Sequence, residues 1–241
     1  MNLVNLPDPF EIAGEHIAID LPGARALFTT RRGGYSGGAY ESLNLGLLTE
    51  DDPDSVARNR AQVIAEAGVA LAYIRQVHGT EIVEAAVERP GREADGEVTA
   101  ERGIGTIVMT ADCLPIAIAG GGAVGVVHAG WRGLADGVID NGITALRKLA
   151  GGAVFHAAIG PGAGPCCYEV GEEVHARFGG RARNGRNLDL KAIASEQLTR
   201  AGVEVVHDVG LCTICADPSL FFSHRRDRGI TGRQGGIAWL T

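Results

Sequence analysis

Residues 111–133 read ADCLPIAIAGGGAVGVVHAGWRG, and the fold of the chain turns on how this stretch pairs with itself. Ile116 to Ala119 is a short apolar strand, Gly120-Gly121-Gly122 is a turn signal, and Ala123 to Val127 is a second apolar strand. Folding the hairpin about Gly121 sets Cys113 nearly opposite His128. Opposed residues of an antiparallel pair have Cβ atoms about 4.5–5.5 Å apart, close enough to share one ion. Zinc takes cysteine sulfur and histidine nitrogen readily, and three protein ligands with a fourth position open is the catalytic pattern. With His78 of Gln76-Val77-His78-Gly79 as the third donor, His78, Cys113 and His128 read as an open zinc site. By the hairpin alone, a buried core thiol beside a hydrogen-bonded histidine is the commoner arrangement.

Outward from the hairpin, helix and strand signals alternate without a strict β-α-β beat. Asp52-Pro53-Asp54-Ser55 opens a helix running through Val56, Val63 and Ile64 to Gly68. Gly133 to Ala150 carries Leu134, Val138, Leu146 and Leu149 near helical spacing and stops at Gly151, although Gly137 and Gly142 weaken it. Val170 to Phe178 reads as a short helix, and Asp189 caps another running to Gly202. Thr106 to Met109, Ala153 to Ile159, Val203 to His207 and Gly236 to Leu240 read as strands. The expected fold class is therefore α/β (α+β), with mixed β-sheets flanked by helices rather than a doubly wound parallel sheet.

Composition narrows the partners. The chain has 241 residues, 45% hydrophobic and 21% charged, with a formal net charge of −7. That is an ordinary globular balance, and no linker, charge block or repeat divides it. An acidic chain is poorly suited to nucleic acid or an anionic membrane, which need clustered Lys and Arg. The N-terminus lacks a basic region followed by a long apolar one, and the apolar stretch from Pro115 to Val127 is too short to span a bilayer. A cytoplasmic location is expected, and oligomeric state is left open.

Five cysteines without an export signal argue against a disulfide framework. Cys212-Thr213-Ile214-Cys215 forms C-x-x-C, but a structural zinc needs a second pair and the adjacent Cys166-Cys167 lacks that spacing. The reading for Cys166, Cys212 and Cys215 is partly buried thiols near the site. Two glycine-rich segments precede helices, Gly130-Trp131-Arg132-Gly133 and Gly160 to Pro165, and either could hold an anion on backbone N–H groups. Arg132 strengthens the first.

The motifs QVHG, ADCLP and VHAGWRG, in that order, resemble those of the YfiH/DUF152 family of bacterial proteins, also called the multicopper polyphenol oxidase or purine nucleoside phosphorylase family. The resemblance continues through Phe28-Thr29-Thr30-Arg31-Arg32-Gly33-Gly34, Ser42-Leu43-Asn44-Leu45, Ile159-Gly160-Pro161, Cys166-Cys167-Tyr168-Glu169-Val170 and Phe221 to Asp227, so it spans nearly the whole chain. It implies a single domain over residues 1–241, an α/β sandwich likened to bacterial toxin cysteine hydrolases, and zinc bound by His78, Cys113 and His128. It further implies phosphorolysis of adenosine, inosine and methylthioadenosine, with deamination of adenosine. Arg31 occupies the position of the family's TTR-x-GG arginine and is expected to hold phosphate bidentately. Asn44, Gln76 and Arg132 complete the expected substrate contacts.

Three other readings compete. A metal-free cysteine hydrolase would use Cys113 as nucleophile and His128 or His78 as base, as amide cleavage on peptidoglycan precursors would require. A laccase needs repeated H-x-H pairs, and the seven histidines, His16, His78, His128, His156, His175, His207 and His224, form none. Copper, above zinc in the affinity order, can still bind a His/Cys site adventitiously. A binding module without catalysis is the fourth, and the open coordination position speaks against it.

Overall fold

A computed structural model describes residues 5–241. Its first elements are a meander, β1 (Glu11–Ala13), β2 (His16–Leu21) and β3 (Ala24–Phe28). Helix α1 (Pro53–Ala67) follows, then β4 (Ala70–Tyr73), β5 (Val83–Glu84), β6 (Gly96–Thr99) and β7 (Ile104–Thr110). The central hairpin is β8 (Leu114–Gly120) and β9 (Ala123–Ala129), followed by α2 (Trp131–Asp136) and α3 (Val138–Ala150). Next come β10 (Phe155–Ile159), α4 (Glu172–Arg177), the short ribbon β11 (Arg183–Asn184) and β12 (Asn187–Leu188), α5 (Leu190–Arg200), β13 (Val203–Asp208) and β14 (Gln234–Leu240).

Two six-stranded sheets form, in the orders β1-β2-β3-β14-β7-β4 and β13-β10-β8-β9-β6-β5. Each is mixed: β4 with β7, β10 with β13 and β5 with β6 run parallel, and the remaining pairs run antiparallel. The sheets pack face to face through Ile17, Ile19, Phe28 and Val108 on one side and Ala117, Ala119, Val124 and Val126 on the other. Helices cover both outer faces. Val138, Ile143 and Leu146 of α3 and Ile193 and Leu198 of α5 pack on Ile116, Ile118 and Val127, while Val63 of α1 packs with Leu27, Ile107 and Ile237. The expected sandwich of mixed sheets and flanking helices is the observed one. Strand β8 shows why its sequence is an unbroken apolar run: its isoleucines face the helices and its alanines face the second sheet, so both faces are buried.

Local punctuation explains where the chain turns. Asp52 caps α1 through Ser55 N–H, Pro53 opens it, and Gly68 at φ 69° ends it, as its sequence predicts. The helix expected as one piece over Gly133–Ala150 is instead two, broken at Gly137, whose φ of 94° is outside helical space. The hairpin turn consists of Gly121 and Gly122, both with positive φ (60° and 78°), while Gly120 remains in the ladder opposite Ala123. This shifts the register from a fold about Gly121: His128 faces Pro115, and Cys113 lies beyond the ladder's end. Among the described residues no helix is long and apolar enough to cross a membrane.

Candidate metal centre and cleft

Asp112, at φ 91°, turns the chain sharply between β7 and β8 and carries Cys113 back toward β9. Its carboxylate is anchored on both oxygens, by Thr213 Oγ1 at 2.7 Å and by the Arg225 N–H at 2.7 Å. His78 sits in the loop after β4, also with positive φ (59°), and His128 lies near the end of β9. One donor atom from each of His78, Cys113 and His128 falls within 4.8 Å of the others. The two imidazole rings meet edge to face with centroids 5.0 Å apart. The hairpin thus gives the right meeting by a different route: the positive-φ turn at Asp112, rather than direct cross-strand pairing, brings the thiol to His128.

Asp95, immediately before β6 and fully buried, holds this arrangement together, and no sequence signal singled it out. Oδ2 accepts the N–H groups of Val77 at 3.2 Å and Gly79 at 2.6 Å, and Oδ1 accepts the His78 N–H at 3.0 Å. The same Oδ1 lies 2.8 Å from His128 Nδ1. One carboxylate therefore fixes both the strained His78 loop and the ring of His128, whose Nε2 is left facing the thiol, the carboxylate–histidine device common behind metal ligands. Burial raises the carboxyl's pKa, but His128 and the three N–H groups outweigh it and hold Asp95 below the usual carboxylate range.

The thiol and imidazole polarise each other. Burial alone would raise the Cys113 pKa, yet the charge of His128 and hydrogen bonds from both histidines bring it down to about 6. Burial lowers His128, and the Cys113 thiolate with the Asp95 carboxylate reverses that to about 9. A thiolate is the form that binds metal. Gly130 completes the fit: a Cβ there would stand 3.0 Å from Cys113 Sγ and 3.5 Å from His78 Cδ2. Two nitrogens and one thiolate sulfur, backed by a carboxylate, are a donor set that would fit a zinc-type ion.

The three side chains line a cleft of about 730 Å³. Its walls include Arg60, Arg75, Arg132, Arg225 and Arg233, with Tyr73, Trp131 and Tyr168, and Leu47 and Leu48 at the lip. On a chain of net charge −7 this is a local concentration of positive charge. Arg132 stacks over the Trp131 ring at 4.5 Å, and Arg225 over the Tyr168 ring at 5.1 Å.

The expected substrate residues divide. Arg132 lines the cleft as predicted from its place after His128. Gln76 lines it too, but its amide is spent on the backbone of Met109, donating to O and accepting from N at 2.8 Å each. Asn44 is fully buried and outside the cleft, its amide donating to Thr49 Oγ1 and Asp51 Oδ2 at 2.9 Å and accepting from the N–H groups of Gly46 and Arg233. It shapes the loop that forms the lip. Arg31 is also outside: Nε donates to Glu41 O, Nη1 donates to Pro218 O at 3.1 Å, and the guanidinium lies 4.4 Å over Phe222. Neither Arg31, expected to hold phosphate, nor Asn44, expected to contact substrate, lines this cleft; in this structure both side chains tie loops together. Of the cysteines expected as partly buried thiols near the site, Cys212 is half-buried as expected, whereas Cys166 and Cys215 are exposed, and together with Cys167 the three converge on one point.

Comparison with known proteins places these features in context. Residues 25–241 match the family described as multi-copper polyphenol oxidoreductase laccase. A purine nucleoside phosphorylase of Xylella fastidiosa (strain Temecula1) is 41% identical over 248 aligned residues, covering 91% of this chain and 93% of its own. The Neisseria meningitidis protein NMB0706, a DUF152 protein, superposes with a TM-score of 0.86 at 38% identity, over 94% of this chain and 99% of that one. The Bacillus licheniformis hypothetical protein YfiH superposes with a TM-score of 0.87 at 29% identity, over 98% of this chain and 100% of that one.

Proposed function

The chain belongs to the YfiH family of multi-copper polyphenol oxidoreductase laccase proteins, and on that premise we propose that it is a zinc-dependent purine nucleoside phosphorylase with accompanying adenosine deaminase activity. The observation that carries this reading is the His78, Cys113 and His128 group at the floor of an arginine-walled cleft. Its substrates are adenosine, inosine or methylthioadenosine together with phosphate. A zinc ion held by the three residues supplies Lewis-acid polarisation and charge stabilisation there.

The chain's own residues do the rest. The Arg132 guanidinium rests over the Trp131 ring with no hydrogen-bond or ion-pair partner among the described residues, so its planar N–H pairs are available to phosphate oxygens. Arg225 and Arg233, also lining the cleft, add charge while anchored to backbone carbonyls. Trp131 and Tyr168 offer flat apolar surfaces of the size of a purine. Leu47 and Leu48, 52% and 86% exposed at the lip, cover a bound nucleoside and exclude water. Asp95 keeps His128 oriented through turnover. Phosphorolysis and deamination then differ in the attacking oxygen, from phosphate in one and water in the other.

The test follows adenine, hypoxanthine and inosine released from adenosine and inosine, with and without phosphate, on protein of measured metal content. Base release that requires phosphate, with inosine formed from adenosine regardless of phosphate, is the expected result. Base release indifferent to phosphate overturns the proposal. The second reading, a cysteine hydrolase, draws on Cys113, His128 and Asp95, which line up as a thiol, imidazole and carboxylate. Against it, a ring nitrogen of His78 also stands within 4.8 Å of the same sulfur, a second imidazole that a free nucleophile does not need. Metal-free protein that cleaves an amide would favour it. A trinuclear copper centre draws on H-x-H pairs that the sequence does not contain.

A further inference from the structure

Apart from the His78 group, the described residues gather one more set of metal-ligand side chains. The Sγ atoms of Cys166, Cys167, Cys212 and Cys215 all lie within 4.8 Å of one another. Two turns supply them. In the loop after β10, the N–H groups of Cys167 and Tyr168 donate to Gly164 O at 3.1 and 3.0 Å. In the loop after β13, the Ala216 N–H donates to Cys212 O at 3.0 Å. The turns are joined side by side, Gly162 N–H donating to Leu211 O at 3.3 Å and Thr213 N–H to Gly162 O at 3.1 Å.

We propose that these four cysteines bind a second zinc ion, a structural one, which staples the loop carrying Tyr168 to the loop carrying Thr213. Four thiolates around zinc at about 2.3 Å form a tetrahedron with sulfurs about 3.8 Å apart. Cys166 Sγ and Cys215 Sγ are 3.4 Å apart, and no pair exceeds the 4.8 Å bound. A disulfide requires about 2.05 Å, and all five cysteines are free thiols. Sulfurs around an iron–sulfur cluster bind different iron atoms and stand farther apart than sulfurs sharing one ion. A tetrahedral set of four sulfurs around a single ion is zinc's preferred structural site, with no position left for substrate.

The surroundings are built for a bound thiolate. Cys212 Sγ accepts the Gly164 N–H at 3.2 Å. Such outer N–H bonds orient a metal-bound sulfur and share its charge. Gly164 is required for the approach, since a Cβ there would stand 3.1 Å from Cys212 Cβ and 3.3 Å from Cys166 Sγ. The exposure of Cys166 and Cys215 leaves the ion within reach of solvent, chelators and exchange. Binding exchanges thiol protons for the ion, so acid weakens the site.

The staple acts on the cleft from behind. Tyr168, next to Cys167, lines the cleft, and Thr213, inside the C-x-x-C, holds the Asp112 carboxylate that precedes Cys113. The sequence spacing alone hid this, because the second pair is adjacent rather than C-x-x-C and lies far along the chain. The inference does not depend on which reaction the cleft carries out.

Zinc analysis of the full chain, purified under reducing conditions, tests it. About two equivalents are expected in the wild type and about one in Cys166→Ser/Cys212→Ser, with Cys113→Ala also retaining about one. A second measurement needs no change in the cluster. Cobalt(II) loaded into Cys113→Ala should show the intense thiolate charge-transfer and visible bands of a four-sulfur tetrahedron. Alkylation mapped by mass spectrometry on the wild type should find all four cysteines protected until a chelator is added. A Cys166–Cys215 disulfide in the zinc-loaded protein, alkylation unaffected by zinc, or a single zinc equivalent unchanged in Cys166→Ser/Cys212→Ser would each overturn the proposal.

Discussion

Replacing Asp95 by Asn exchanges one carboxylate oxygen for an NH₂ group and should unsettle the whole metal centre. The carboxylate serves four groups: Val77 and Gly79 N–H on Oδ2, and His78 N–H and His128 Nδ1 on Oδ1. An amide has one oxygen. With its NH₂ in the Oδ2 position, the Val77 and Gly79 N–H groups face a donor; flipped, the His78 N–H and His128 do so instead. Each donor left unpaired costs about 1–3 kcal/mol, so the loop loses about 2–6 kcal/mol of local support in either orientation. The His78 loop, already at positive φ, then relaxes away from Cys113. Loss of a carboxylate behind a metal-bound histidine typically lowers metal affinity 10–100-fold, or about 1.4–2.8 kcal/mol. Zinc competition against a chromogenic chelator at neutral pH measures this, with the melting temperature as a control for global unfolding. Zinc affinity of the Asn variant within about twofold of wild type, in a folded protein, would refute the role assigned to Asp95.

Three further outcomes follow from particular contacts. Gly130→Ala places a methyl 3.0 Å from Cys113 Sγ while its backbone φ of −79° tolerates alanine, so metal content should fall with little loss of melting temperature. Arg132→Ala should raise the phosphate KM ten- to hundredfold, the worth of a charge-assisted contact of about 1.5–3 kcal/mol; Arg31→Ala should leave that KM unchanged and lower the melting temperature, because its contacts are to Glu41, Pro218 and Phe222. Glu97 is buried between the sheets, and burial pushes its carboxyl up to about 8 from 4.5. Because the folded value lies above the unfolded one, stability is fully present below about pH 4.5 and is lost as pH rises through 8. Glu97→Gln should remove that loss, so denaturant titrations should show the variant gaining on wild type by on the order of a few kcal/mol between pH 5 and pH 8; a pH-independent difference would contradict it.

Much of the architecture is legible in local sequence because local forces decide it. Asp52 with Pro53 and Gly68 bounds α1, Asp189 caps α5, and paired glycines close the β8–β9 hairpin, each through bonds spanning a few residues. The meander β1 to β3 and the short strands β4 to β6 carry weaker patterns than the expected strands; β3, β4 and β6 join their sheets through β14, β7 and β9, all more distant in sequence. His78, Cys113 and His128 stand out by residue type and motif, and the structure brings them together.

By itself, then, the sequence determined roughly where the helices lie, that a glycine run closes the central hairpin, the class of the fold and which three side chains could share an ion. Tertiary structure alone decided which way polar side chains face and which distant loops meet. Arg31 lies in a recognisable motif yet is drawn to backbone carbonyls and Phe222, while Asp95, in no motif, is placed by β6 within 2.8 Å of His128, 33 positions away. Cys166 and Cys215 meet across 49 positions. A motif fixes residue types and short-range geometry, whereas the partner of a long polar side chain is set by packing of strands whose register depends on the entire sandwich.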